Sequence, residues 1–150
     1  MSDEDLRDLY RELILDHSRK PRHFGRLPDA THTADGINPL CGDKLRLYLK
    51  VEDGTISSLG FEATGCAISV ASASLMADAI EGLGVESAES CFASVTDRLT
   101  GGTSDLGAPL EKLAALDGVR DYPSRVKCAT LAWHALHAAL TEDPNPATTE

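Results

Sequence analysis

Positive charge is scarce in this chain: 14 Lys and Arg stand against 24 Asp and Glu over 150 residues, a formal net charge of -10. A protein that grips a phosphate backbone clusters Lys and Arg, so the balance argues against nucleic-acid binding. It favours solubility and suits a basic protein partner. Long apolar runs are missing too. None approaches the ~20 residues of a bilayer span, so no membrane is expected as a partner. The acidic opening Met1-Ser2-Asp3-Glu4-Asp5 is the opposite of a secretory signal. There is no internal repeat, and the four cysteines include no closely spaced pair of the zinc-finger kind. Without a secretory signal, thiols kept reduced for metal or redox work are expected rather than disulfides, in a cytoplasmic protein.

What is present is enough apolar residue, 42% of the chain, to bury one core, so a single domain over residues 1–140 is expected. The stretch that stands out is Asn38-Pro39-Leu40-Cys41-Gly42-Asp43. Proline and glycine impose a turn there, and Cys41 and Asp43, two apart, can both face one metal ion. Cys66 and Cys128 each fall where a helix begins. Three thiols and one carboxylate suit a tetrahedral Zn2+ or one edge of an iron–sulfur cluster. The alternative is three buried cysteines acting as small hydrophobes.

Periodicity supplies the frame. Ser2 and the acids after it suit a helix start, and Leu6, Leu9, Tyr10, Leu13 and Ile14 recur at helical spacing until Pro21 stops the helix. His17 and His23 beside the stop read as partly exposed or capping histidines, and the basic cluster Arg19 to Arg26 as a solvated face. Residues 26–40 are turn-rich, which predicts a loop with at most a short edge strand. Leu45, Leu47, Leu49 and Val51 then alternate with polar residues, a strand with one buried face, and Asp53-Gly54 is a hairpin turn. On the return strand Ile56 is out of parity with Leu59, Phe61 and Ala63, which predicts a bulge near Ser57-Ser58. The small residues Ala71 to Ser74 mark a helix that lies close to a neighbour. Further helices are expected over Val85–Leu99, around Pro109–Leu116, and from about Ser124 to Leu140. Residues 141–150 are polar with two prolines and are expected to be disordered. The whole reads as α+β: one small antiparallel sheet carrying several helices.

Cys66 at a helix N-terminus gains from free N–H groups and the dipole, which favour a thiolate. Cys128 has Arg125 three residues earlier and Lys127 adjacent, and both charges are expected to lower its pKa. Cys91, mid-helix beside Phe92, reads as core.

The segments Asn38–Asp43, Gly65-Cys66-Ala67-Ile68-Ser69 and Arg125–Ala132, with Leu9–His17 and Pro21–Gly25, resemble the IscU/NifU-like proteins of iron–sulfur assembly. In the scaffold branch a histidine directly precedes the third cysteine, where this chain has Lys127. Residues 101–121 also look like the insertion of the SufU branch. The resemblance therefore implies the IscU-like fold and zinc held by Cys41, Asp43, Cys66 and Cys128. It further implies persulfide sulfur taken from a PLP-dependent cysteine desulfurase of the SufS type and passed to downstream iron–sulfur scaffold proteins. Cys41, on a movable turn, is then expected to be the sulfur acceptor, with Arg125 assisting at the site. Two other functions compete: a scaffold that assembles [2Fe-2S] on the same four residues, and a structural zinc domain that recruits partners.

Overall fold

The computed structural model of the chain describes residues 3–102 and 108–149. The order is α1 (Asp3–Arg19), β1 (His32–Asn38), β2 (Asp43–Glu52), β3 (Thr55–Thr64), α2 (Ala67–Ile80), α3 (Val85–Leu99), a 3-10 helix (Ala108–Val119), α4 (Pro123–Leu140) and β4 (Ala147–Thr148). The strands form one sheet ordered β3-β2-β1-β4. The expected α+β architecture holds. Ser2, the side chains of Leu6, Leu9 and Pro109, residues 103–107 of the segment likened to an insertion, and Glu150 lie outside the described residues.

Strand β2 shows the alternation its sequence dictates, burying Asp43, Leu45, Leu47 and Leu49 while Lys44 and Arg46 face water. Across the hairpin, Lys50 pairs with Ser58 but Val51 pairs with Ile56, so Ser57 is the extra residue of a bulge. That one insertion lets Ile56 share the buried face with Leu59 and Phe61. The bulge falls where the parity slip puts it.

Strand β1 corrects the sequence reading. The stretch expected to be a loop with a short edge strand is a seven-residue interior strand, paired along its length with β2. Its inward positions are Ala34, Gly36 and Asn38, because α4 crosses close behind: a Cβ on Gly36 would stand 3.2 Å from the Leu131 side chain. A strand whose buried face is small and polar carries no apolar alternation to read. The tail differs as well. Ala147 and Thr148 pair with Gly36 and Ile37 in parallel, so the sheet is mixed rather than wholly antiparallel, and this part of the tail is ordered where disorder was expected.

Helix α2 is buried on almost every side, from Ala71 to Ala77. Its small residues admit close neighbours: the Ser72 hydroxyl donates to the Ala129 carbonyl of α4 at 2.5 Å, and Ser74 Oγ lies 2.7 Å from His17 Nδ1 of α1. His17 is therefore a core residue and no exposed cap, and burial is the main cause that lowers its pKa. His23 is half-buried between Asp78 and Glu81, and the nearby cation Arg22 pairs with Asp16 on the surface. On α3, Cys91 is 7% exposed within the core, and burial raises its thiol pKa. Cys91→Ala is expected to cost about 1 kcal/mol of stability in denaturant unfolding and to leave metal content unchanged. A loss of activity in a folded Cys91→Ala protein would reveal a role for this thiol. No helix among the described residues is long and apolar enough to cross a membrane.

Candidate metal centre

Four side chains converge where β1, β2 and the starts of α2 and α4 meet. The turn Pro39–Gly42 leaves the end of β1, and Gly42 N closes it by donating to the Asn38 carbonyl at 2.9 Å. Gly42 takes φ 71°, a conformation that glycine adopts at little cost, and this sets Cys41 outward and Asp43 inward. Asp43 is the first residue of β2 and is fully buried.

A buried carboxylate needs partners. Asp43 Oδ1 accepts from the backbone N–H of Cys66 at 2.9 Å, and Oδ2 lies 3.8 Å from Cys66 Sγ. Cys66 is the N-cap of α2, as its sequence position predicts, and its sulfur accepts from the Ser69 N–H at 3.4 Å. Cys128, in the second turn of α4, is buried with its sulfur 3.7 Å from that of Cys41. One ligand atom each from Cys41, Asp43 and Cys128 lies within 4.8 Å of the others, and Cys66 reaches in beside Asp43.

The donor set fits zinc. With Zn–S bonds near 2.3 Å, two sulfurs at tetrahedral corners stand about 3.8 Å apart, close to the 3.7 Å between Cys41 and Cys128. The Cys128 pKa is raised, first by burial and then by its contacts with Asp43, Cys66 and Cys41. A thiol so crowded with acceptors becomes a thiolate when a cation sits among them. The expected lowering by Arg125 and Lys127 does not occur. The Arg125 guanidinium lies over the Tyr122 ring, 4.7 Å from its centroid, and makes no ion pair with Asp43 among the described residues. Lys127 lines a cleft whose lining includes none of the four donors.

Two residues that sequence reasoning did not assign complete the pocket wall. Asn38 is fully buried, donates from Nδ2 to Cys128 Sγ at 3.6 Å, and leaves its Oδ1 without a partner among the described residues. A polar residue ending a strand just before the Pro39–Gly42 turn was the available signal. Gly65 lies against Asp43 so closely that a Cβ would overlap the carboxylate, and its φ of 146° also favours glycine. Gly65→Ala is expected to displace Asp43 and destabilise the fold by roughly 1–3 kcal/mol. Metal titration should then give weaker binding; wild-type affinity would show that Asp43 is not held by this contact.

This geometry gathers a thiol-rich group of side chains that could hold a metal ion at the edge of an α+β domain. The family model for the NifU-like N-terminal domain matches residues 9–145, and the chain belongs to that family. Among its relatives, the zinc-dependent sulfurtransferase SufU of Bacillus subtilis is 40% identical over 139 residues, covering 93% of this chain and 94% of that one. The iron–sulfur cluster assembly scaffold protein IscU of Thermotoga maritima is 41% identical over 138 residues, covering 92% and 96%. A solved structure from Fervidobacterium islandicum, assigned as an iron–sulfur cluster assembly scaffold for the SUF system, superposes with TM-score 0.78 at 32% identity, covering 86% and 94%. Membership in this iron–sulfur assembly family agrees with the resemblance seen in the cysteine motifs.

Proposed function

We propose that this chain is a zinc-dependent sulfurtransferase that accepts persulfide sulfur from a PLP-dependent cysteine desulfurase of the SufS type and delivers it to iron–sulfur scaffold proteins. The observation that carries this reading is the unequal placement of the four donors. Asp43 and Cys128 are buried, Cys66 is half-buried, and Cys41 alone is exposed, on a turn rather than a packed element. The name of the Bacillus subtilis relative supports the same reading.

Asp43, Cys66 and Cys128, together with Cys41, would hold the ion. Zinc, when bound, keeps thiolates deprotonated at neutral pH and has no redox chemistry of its own. The Cys41 thiolate attacks the outer sulfur of the desulfurase persulfide. A new sulfur–sulfur bond forms on Cys41 as the old one breaks, and the electron pair leaves with the desulfurase thiolate. No external oxidant or reductant is consumed. Exposure of Cys41, with Leu40 beside it at 66%, gives the partner's persulfide an open approach.

A second reading is favoured by the scaffold names of other relatives, among them the Thermotoga maritima protein and the Fervidobacterium islandicum structure. There the same four residues would receive iron and sulfide as substrates and build [2Fe-2S]. Metal analysis with a desulfurase stimulation assay tests the proposal: about one zinc per colourless chain and faster turnover of the desulfurase are expected. A brown, iron-bearing protein that leaves the desulfurase rate unchanged would favour the scaffold. In the same assay, Arg125→Ala is expected to lower sulfur acceptance about tenfold with metal content kept, since its guanidinium, stacked on exposed Tyr122, stands ready to meet a partner near Cys128. Unchanged stimulation would make Arg125 an ordinary surface charge.

A further inference from the structure

A cleft of about 580 Å3 is bounded by the end of α3, the start of α4 and the β4 segment, and none of the four donor residues lines it. Its polar lining includes Arg120, Lys127, His134 and Thr149, and no carboxylate is among the described lining residues. In a chain of net charge -10, two Lys or Arg side chains sharing a cleft with no acid among its described lining residues form a local exception. Among the described residues neither cation has an ion pair with an acid. Arg120 spends one N–H on the Gly102 carbonyl at 3.1 Å, and Lys127 has no ion pair among the described residues. Independently, Thr149 is 8% exposed, lines this cleft, and its Oγ1 has no hydrogen-bond partner among the described residues. A buried hydroxyl without a partner is costly unless something supplies one.

We propose that this cleft binds a small phosphate monoester, its phosphate held by Arg120, Lys127 and the Thr149 hydroxyl and its organic part lying against Leu99 and Val126. The guanidinium fork and the ammonium suit an oxyanion with several acceptor oxygens. The hydroxyls of Thr130 and Thr100 are already committed to the Val126 and Thr96 carbonyls, at 2.9 and 2.6 Å, whereas the Thr149 hydroxyl has no partner among the described residues and can donate. His134 sits at the other side, its ring edge-to-face with Phe92 at 5.5 Å, and offers a ring nitrogen to the same ligand. The site is separate from the metal centre and stands whether or not the sulfur-transfer reading holds.

The test is a titration of the isotope-labelled, metal-loaded full chain with phenyl phosphate, read by amide chemical shifts. Saturable shifts are expected at Thr100, Gly101, Thr130 and Thr149. Arg120→Ala and Lys127→Ala should each weaken binding by about tenfold, with spectra otherwise like wild type and Lys127→Arg retaining most of the affinity. Three results would overturn the proposal: no saturable shift at these amides, wild-type affinity in both alanine variants, or benzoate binding as tightly as phenyl phosphate.

Discussion

Cys41→Ala is expected to abolish sulfur acceptance, by on the order of a hundredfold or more, while the protein stays folded. The expectation follows from where the four donors stand. Cys66 caps α2 and Cys128 is packed inside α4, so their Cβ directions are fixed by helices that the core holds. Cys41 is on a turn between Pro39 and Gly42, where the backbone can move at little cost. A released aspartate would supply no sulfur nucleophile, so the departing donor has to be a thiolate. Cys41→Ala is expected to retain part of its metal through a substitute donor such as water. Incubation with the desulfurase and cysteine, followed by peptide mass spectrometry, locates the added sulfur. Persulfide mainly on Cys66 or Cys128 would mean that the nucleophile is one of the packed thiols.

Removing a packed thiol should act on a different property. Cys66→Ala and Cys128→Ala are each expected to lose the metal and to lower the melting temperature. A metal that binds only the folded chain adds about 2.7 kcal/mol of stability at about a hundredfold excess over Kd. For a chain of this size each kcal/mol corresponds to roughly 2–4 °C. Cys128→Ala should be the more damaging, because it also strands the buried Nδ2 of Asn38 beside an Oδ1 that already lacks a partner. Elemental analysis and thermal unfolding check both variants. Full zinc occupancy in either one would remove that residue from the ligand set.

The elements with a strong period were legible in the sequence. Helix α3, the β2–β3 hairpin and even the extra residue at Ser57 follow from which positions are apolar. Strand β1 was not, because its inward face is Ala34, Gly36 and Asn38, chosen for the close approach of α4 and not for bulk. The thiols and Asp43 announced themselves through their spacing to turns and helix starts. Asn38 and Gly65 did not, since each matters only through a contact with a distant residue, Cys128 or Asp43. Helical spacing puts Arg125 one turn from Cys128, but that spacing does not show that the nearby Tyr122 ring takes the guanidinium.

The short parallel pairing of Ala147 and Thr148 with Gly36 and Ile37 has a consequence for how molecules of this protein meet one another. Strand β1 without it would end in open N–H and C=O groups right beside the Pro39–Gly42 turn, a template on which a second chain could add a strand. The tail occupies that template, and the Thr149 N–H extends the cover by donating to the Ile37 carbonyl at 3.4 Å. The sheet margin next to the exposed Cys41 is thereby a two-residue edge strand, a poor template for strand exchange. Encounters there are left to side chains, so a docking partner is selected by surface chemistry, and self-association through the backbone is discouraged.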